Sequence, residues 1–177
     1  MANIDDFKAK LSGGGARANQ FKILFTQPAI DIGPFTLDTT SFLPRGASLP
    51  AMTLGEIAVP FRGRTIYLAG DRTFDEVWTT TFLNDTDFMI RNAMERWSNG
   101  INDLVNATGV TDPSSYQVTL EVIQLDRDDK ELKSYIFKNA WPTSISSIDL
   151  TADTSDAIEE FEVTWRYQHF EASGVNF

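Results

Sequence analysis

The sequence predicts a mainly β domain: an antiparallel β-sandwich or barrel with one flanking α-helix at about residues 85–99 and a short N-terminal helix or arm. Residues 116–125 and 158–170 alternate apolar and polar side chains, which is typical of antiparallel strands with one buried face. Residues 85–99 instead place apolar side chains at helical spacing. Six to eight strands around one amphipathic helix fit a single domain, residues 1–177.

The composition supports a packed core and excludes several classes of protein. Hydrophobic residues make up 42% of the chain, with 13 Phe and 4 Trp to fill the interior. No apolar run approaches the roughly 18 residues of a membrane span, and the N-terminus lacks the pattern of a signal peptide. The absence of cysteine removes disulfides and thiolate chemistry. We therefore expect a protein that is made in a cytoplasm and has no membrane contact.

The net charge of −10 argues against a stable grip on nucleic acid. Such a grip neutralises phosphates with Lys and Arg, whereas an acidic surface repels polyanions.

The first 20 residues predict an N-terminal arm. Asn3–Leu11 is expected to form a short helix with Asn3 as its N-cap and a narrow apolar stripe of Ile4, Phe7 and Leu11. Gly13–Gly15 then forms a flexible joint. Such a helix is either a frayed terminus or an arm that docks on a neighbour.

The other strands are predicted from short β-prone runs between turn residues. They are expected over residues 21–25, 35–43, 52–59, 62–68, 73–83, 131–138 and 145–150. Residues 44–70 are expected to form a projecting loop or hairpin. A turn at Ala69–Asp71 is expected to join two of the runs, because Gly70 tolerates positive φ. Glu76 interrupts the apolar face of the following run, which predicts a bulge or an intersubunit partner there.

The helix at about 85–99 is predicted to pack on the core. Asn84, Asp85 and Thr86 are candidate caps, and Gly100 is expected to end the helix. Met89, Ala93 and Trp97 stack at a spacing of four, which is typical of a packing surface.

No residue pattern supports a metal site. Asp126, Asp128 and Asp129 resemble the start of a calcium loop, but the sixth and twelfth positions are Glu131 and Phe137 instead of Gly and a bidentate Glu. A polar hairpin turn explains these carboxylates.

The sequence also lacks a complete catalytic triad or a convergent pair of carboxylates. His169 is the single histidine, and no G-x-S-x-G turn supplies a nucleophile for it, so a partly buried or interface histidine is the better interpretation. Asp75–Glu76 and Glu159–Glu160 point to opposite faces of strands, so neither pair converges on one bond. We predict no catalytic, metal or cofactor residues, and no enzyme.

One stretch is far less generic than the rest. Residues 59–85, VPFRGRTIYLAGDRTFDEVWTTTFLND, resemble the central signature of the inner tail tube protein of contractile-tailed, T4-like bacteriophages. Residues 140–150, which begin Ala-Trp-Pro-Thr, and residues 158–171 agree with the same family in the same order. The matches run from about Phe21 to Glu171, whereas residues 30–35 and 99–115 depart from the family.

This resemblance implies a structural virion protein. Its family forms hexameric rings in which strands of six subunits join one inner barrel, and the rings stack into a hollow conduit for DNA ejection. Its fold is shared with type VI secretion tubes. The implied partners are other copies of the chain, the sheath outside, the tape-measure protein and transiting DNA inside without stable binding, and the baseplate and tail terminator. Assembly is expected in the host bacterial cytoplasm.

The resemblance also suggests residues for assembly. The signature Gly70, Asp71, Arg72, Thr73 and Phe74 is expected at a turn near a subunit contact. Arg72 either pairs with a carboxylate of its own or a neighbouring chain, or is simply solvated. The polar strand faces offer candidate lumen-lining carboxylates, namely Glu121, Glu160 and Glu162.

Three alternatives stay open. The first is a tube, initiator or terminator ring protein of a related contractile injection system. The second, from a different class, is a monomeric small-molecule-binding β-barrel, which requires an apolar cavity. The third is a hydrolase that depends on His169.

Overall fold

A computed structural model describes residues 3–11, 15–33, 44–74, 77–153 and 157–175. The described residues form nine antiparallel strands, two α-helices and a short 3-10 turn, which confirms the predicted fold class. In chain order the elements are α1 (Ile4–Lys10), β1 (Phe21–Phe25), β2 (Pro44–Ala47), β3 (Thr53–Phe61), β4 (Arg64–Thr73), β5 (Val77–Leu83), α2 (Met89–Ile101), the 3-10 turn (Pro113–Ser115), β6 (Val118–Leu125), β7 (Glu131–Ile145), β8 (Glu160–Arg166) and β9 (His169–Ala172).

The long strand β7 joins two halves of a seven-stranded sheet. Its first half pairs with β6 and β9, and β1 extends the sheet beyond β6. Its second half pairs with β8, beyond which lie β5 and then β2. Between the halves, Asn139 adopts a positive φ of 55°, and its side-chain amide donates to Gln168 Oε1 at 2.6 Å. This junction lets the two halves take different directions.

Aromatic contacts show that the two halves face each other. Trp78 of β5 stacks on Phe137 of β7 with a centroid distance of 4.6 Å, and Phe25 of β1 lies 6.2 Å from Trp165 of β8. Trp165 is almost fully buried, and its indole N–H donates to Thr80 Oγ1 at 2.8 Å. Buried indoles need such a partner, so the core combines dense packing with satisfied polar groups.

Helix α2 covers this core with its apolar stripe. Ile90, Ala93, Met94 and Trp97 are buried, and the Trp97 ring lies 5.7 Å from that of Trp165. The core-facing role predicted for the stripe is confirmed.

The bounds of α2 differ from the prediction of 85–99 at both ends. The helix begins only at Met89, because Phe88 adopts a left-handed φ of 53°, while Asp85 Oδ1 accepts from the Met89 N–H at 3.0 Å. Gly100 lies inside the helix and does not end it. A Cβ there would come within 2.3 Å of Ile30 Cγ2, so the glycine permits a close approach.

The predicted boundaries of two strands were wrong. The sequence predicts separate strands at 131–138 and 145–150, but β7 runs unbroken from Glu131 to Ile145. Pro142 lies within it next to a β-bulge, where a missing N–H is tolerated. The polar hairpin turn predicted at Asp126, Asp128 and Asp129 is confirmed, since the Asp126 N–H donates to the Lys130 carbonyl at 2.8 Å.

The predicted last strand is divided into β8 and β9. Its buried alternation shifts by one residue after Tyr167, so His169 is exposed and Phe170 is buried. His169 was predicted to be partly buried or to lie at an interface. This shift exposes it in the single subunit, so the prediction of partial burial was wrong, whereas an interface position stays a prediction.

Three predictions concern parts of the chain outside the described residues: the strand at 35–43, most of the glycine joint at 13–15, and Glu76. Neither α1 nor α2, the helices of the described part, has the length and apolar character that a bilayer crossing requires.

Candidate assembly surfaces

Strands β3 and β4 form a hairpin, and among the described residues they pair only with each other. The chain turns at Arg62 and Gly63, which have φ values of 44° and 78°. Positive φ at both central residues is what a type I′ turn requires, and this turn suits the twist of a two-residue hairpin. At about 3.3 Å per residue, strands of this length reach roughly 30 Å.

The register of the hairpin separates an apolar face from a mixed one. Directly opposed residues share a face, as Ile57 does with Leu68 and Val59 with Ile66. The apolar side chains of one face are Ile57, Val59, Phe61, Ile66 and Leu68, each 39–57% exposed, and Arg64, directly opposite Phe61, ends this face at the turn. The mixed face consists of Glu56, Ala58, Pro60, Thr65, Tyr67 and Ala69. We call the first set the hairpin apolar face.

The turn predicted at Ala69–Asp71 was wrong, because β4 runs through these residues. Gly70 does not have positive φ; it lies at a bulge opposite Gly55, where a Cβ would come within 3.1 Å of the Gly55 backbone. Both glycines therefore allow close backbone approach at the base of the hairpin.

The remaining signature residues, Asp71–Phe74, lead from the base of the hairpin toward the core. Asp71, Arg72 and Thr73 are exposed, whereas Phe74 is half-buried and meets Phe170 edge to face at 5.5 Å. None of the three ion pairs formed among the described residues involves Arg72. A carboxylate partner for Arg72 on a neighbouring chain stays a prediction.

The three carboxylates predicted to line a lumen lie on strand positions that point away from the core. Glu121 is half-buried on β6, between Leu24 and Ile136. Glu160 forms an ion pair with Arg45 of β2, and Glu162 is exposed.

Glu160 and Glu162 are neighbours on one face of β8, whereas Glu121 lies in the other half of the sheet. The structure therefore brings two of the three predicted residues together.

Other carboxylates serve local structure. The N–H groups of Val105 and Asn106 donate to Asp103 Oδ1 at 2.7 and 3.1 Å and hold the pKa of Asp103 below its usual value. The side chain and backbone of Ser114 lower the pKa of Asp112 in the same way. These are turn-forming contacts. Within the described ranges, no cluster of three His, Cys, Asp or Glu side chains is arranged to hold a metal ion.

The match to known families decides the identity. The family model for phage tail tube proteins matches residues 16–173. The chain belongs to the phage tail tube protein family. The resemblance found in residues 59–85 is thereby confirmed, and the protein is a structural protein of a contractile bacteriophage tail.

Individual relatives agree with this family. The tail tube protein gp19 of Enterobacteria phage T4 is 31% identical over 95% of this chain and 99% of its own length. The sheath/tube terminator structure of an extracellular contractile injection system has a TM-score of 0.65 at 13% identity, covering 90% of this chain and 97% of the other. A type six secretion system protein has a TM-score of 0.50 at 16% identity, covering 86% and 82%. At these identities the two structures show a shared fold, as expected for type VI tubes.

The β3–β4 hairpin lies mostly within the projecting segment 44–70 that the sequence predicts, and its strands correspond to the predicted runs 52–59 and 62–68. Sequence reasoning missed the exact turn residues, Arg62 and Gly63, although Gly63 lies between two runs of alternating apolar residues.

Proposed function

We propose that this tail tube protein forms hexameric rings that stack into the hollow inner tube of the tail, and that this tube is the conduit for DNA ejection. The observation that carries the proposal is the exposed hairpin apolar face.

A two-stranded hairpin is marginally stable in water, and a contiguous exposed apolar surface marks an interaction site. The hairpin is long enough to reach another subunit, and its apolar face has no partner within the described part of its own chain. A neighbouring copy of the tube protein covers this face in the proposed assembly. Full burial of an aliphatic side chain is worth about 1.5–3 kcal/mol, so half-exposed residues gain on the order of 1 kcal/mol each.

The outward sheet face supplies the proposed lumen. Glu160 and Glu162 share the outward face of the β8 half and are the carboxylates of the proposed lumen wall, whereas Glu121 lies on the outward face of the opposing half and would line the lumen only if that half faces it. A hexamer of chains with charge −10 carries 6 × −10 = −60 in total. Like charge keeps DNA from adhering to the wall while it passes.

The proposed partners follow from this arrangement. The sheath surrounds the tube, the tape-measure protein and transiting DNA occupy it, and the baseplate and terminator close its ends. The known structures of similar fold include an injection-system sheath-tube complex and an anti-feeding prophage baseplate. We propose a purely structural role without catalysis, in a subunit made in the host cytoplasm and carried in the virion.

The test removes apolar area from the hairpin while keeping its strand propensity. The double variant Ile57→Thr/Ile66→Thr is expected to weaken the association of two neighbouring subunits by about 2–3 kcal/mol. The protein concentration required for assembly then rises roughly 30- to 150-fold. Tyr67→Thr, on the mixed face, is the matched control. Sedimentation measures assembly, and thermal unfolding of the free subunit stays unchanged because these side chains are exposed.

Assembly of the double variant at the wild-type concentration contradicts this role of the hairpin. A wild-type protein that stops at single rings identifies an initiator or terminator instead of a tube subunit.

A further inference from the structure

The β3–β4 hairpin differs in charge from the rest of the chain. Between Thr53 and Thr73 the sequence has three arginines and two carboxylates, a net charge of +1, so the other residues together carry −10 − 1 = −11. Arg62 and Arg64 lie at the tip, where the Arg62 guanidinium is 5.5 Å from the centroid of the Phe61 ring. Neither arginine takes part in the ion pairs formed among the described residues. The hairpin therefore offers an apolar face with a basic tip.

Residues 102–109, which follow α2, form a closed loop that presents two apolar side chains to solvent. Leu104 and Val105 are 89% and 88% exposed, the highest values among the large apolar side chains that the structure describes. An antiparallel bridge joins the first and last residues of the loop, and the Asp103 N–H donates to the Thr108 carbonyl at 2.8 Å. Because these bonds already fix the loop, docking it costs little ordering entropy. We call Leu104 and Val105 the apolar pair of this loop.

The charge beside the apolar pair is negative. No Lys or Arg occurs between Arg96 and Arg127, so the carboxylates of this stretch have no cation close to them in sequence. Asp103 Oδ1 accepts from the N–H groups of Val105 and Asn106 at 2.7 and 3.1 Å. A carboxylate has about four acceptor sites, so Asp103 can also receive a guanidinium.

We propose that the 102–109 loop of one subunit docks on the hairpin apolar face of a second copy of the chain. The apolar pair covers Phe61 and Ile66, which are diagonal neighbours on that face near the tip, and Asp103 pairs with Arg64. This inference rests on the proposed function, and it names the surface that covers the outer part of the hairpin.

Charge and symmetry both favour a second copy of this chain as the occupant. A basic tip is complementary to an acidic surface, and the chain outside the hairpin has a charge of −11. The hairpin apolar face and the apolar pair are both exposed in the single subunit, so neither covers the other within one chain. Because the two surfaces differ, their contact is head to tail and repeats from one subunit to the next. Such contacts build rings or filaments, whereas a contact between two identical surfaces stops at a dimer.

The absence of cysteine from the chain suits a cross-linking test. The Ile66→Cys/Val105→Cys variant is assembled under reducing conditions, oxidised and run on a non-reducing gel. Because a head-to-tail contact links each subunit to the next, we expect a ladder of trimers and larger species. Tyr67→Cys/Val105→Cys is the matched control, since Tyr67 is also exposed but points to the other face of β4. The ladder is expected to be several-fold weaker in this control, and equal ladders overturn the proposal.

Leu150 allows a comparison with another exposed surface. It is 79% exposed and also lies in a stretch without Lys or Arg. A ladder from Ile66→Cys/Leu150→Cys that equals the one from Ile66→Cys/Val105→Cys overturns the assignment of the 102–109 loop. So does an intrachain disulfide in the dilute, unassembled Ile66→Cys/Val105→Cys subunit.

A double-mutant cycle tests the ion pair between Arg64 and Asp103. Asp103→Asn removes the charge but keeps an oxygen that accepts from the N–H groups of the loop. Arg64→Gln and Asp103→Asn are each expected to raise the assembly concentration roughly 2- to 5-fold, and the double variant no further than either change alone. Arg72→Gln, at the base of the hairpin, is the matched control, and its effect is expected to multiply with that of Asp103→Asn. Effects that multiply in both pairs refute the ion pair and the proposed position of the loop.

Electron microscopy of the wild-type protein and the cysteine variants under reducing conditions separates this contact from the proposed function. Tubes that form without the Ile66–Val105 ladder on oxidation refute only the docking of the loop. A wild-type protein that forms neither rings nor tubes refutes the proposed function as well.

Discussion

Replacing one glycine at the hairpin turn separates assembly from folding. Gly63 has φ 78°, and no atom lies within 4 Å of the position that a Cβ would take, so Gly63→Ala adds backbone strain but no clash. Left-handed backbone costs a residue with a Cβ about 1–2 kcal/mol. Because a two-stranded hairpin is only marginally stable in water, we expect the hairpin to become fully ordered on assembly, so this cost falls on assembly and raises the assembly concentration roughly 5- to 30-fold.

Gly174 provides a matched control, because it has φ 75° and equally open surroundings but follows β9 instead of lying in the hairpin. Gly174→Ala is expected to lower the Tm of the free subunit by about 2–8 °C, with assembly measured below the Tm unchanged. Gly63→Ala is expected to impair assembly and to leave the Tm of the free subunit unchanged. Sedimentation over a concentration series and calorimetry of the unassembled subunit measure the two effects. Normal assembly of Gly63→Ala, or an equal loss of Tm in both variants, refutes the assignment of the hairpin to assembly.

Three further predictions concern the fold. Trp165→Phe leaves the buried Thr80 hydroxyl without its donor and opens a cavity, so urea denaturation is expected to show a loss of about 2–4 kcal/mol; an unchanged midpoint contradicts this packing. Gly100→Ala is expected to cost about 1–3 kcal/mol through its clash with Ile30, and Ile30→Ala in the same chain to recover part of it; strictly additive losses would argue against the contact. The depressed pKa of Asp103 keeps its turn stabilised above about pH 4 and releases it as the pH falls through that lowered pKa. An NMR titration of the Asp103 carboxyl measures this, and a normal pKa excludes the hydrogen bonds from Val105 and Asn106.

Periodic segments with one buried face were predictable from the sequence. The alternation in β6 and β8 follows directly from a sheet with a core on one side, and the stripe around Trp97 follows from helical spacing. Tertiary contacts decided the positions that sequence reasoning missed. The sequence predicted a turn at Gly70 and a helix end at Gly100. Both predictions were wrong because the sequence does not show that the Gly55 backbone approaches Gly70 or that the Ile30 side chain approaches Gly100.

The assembly surfaces were predictable only in part, for a physical reason. The sequence predicted a projecting segment and apolar residues within it. It does not distinguish apolar residues that pack in the subunit core from those that pack in an interface between subunits. The register of β3 and β4 is what sorts Ile57 and Leu68 onto one exposed face. The alternation of apolar and polar residues was enough to assign Glu121, Glu160 and Glu162 to polar strand faces. Their position relative to a lumen depends on the other copies of the chain.

Negative-stain electron microscopy of the purified protein, across a concentration series, is the most direct test of tube formation. We expect hollow filaments built of stacked six-fold rings, which disappear in Ile57→Thr/Ile66→Thr and persist in Tyr67→Thr. A protein that stays monomeric at high concentration, even with tail-initiating components present, would contradict it.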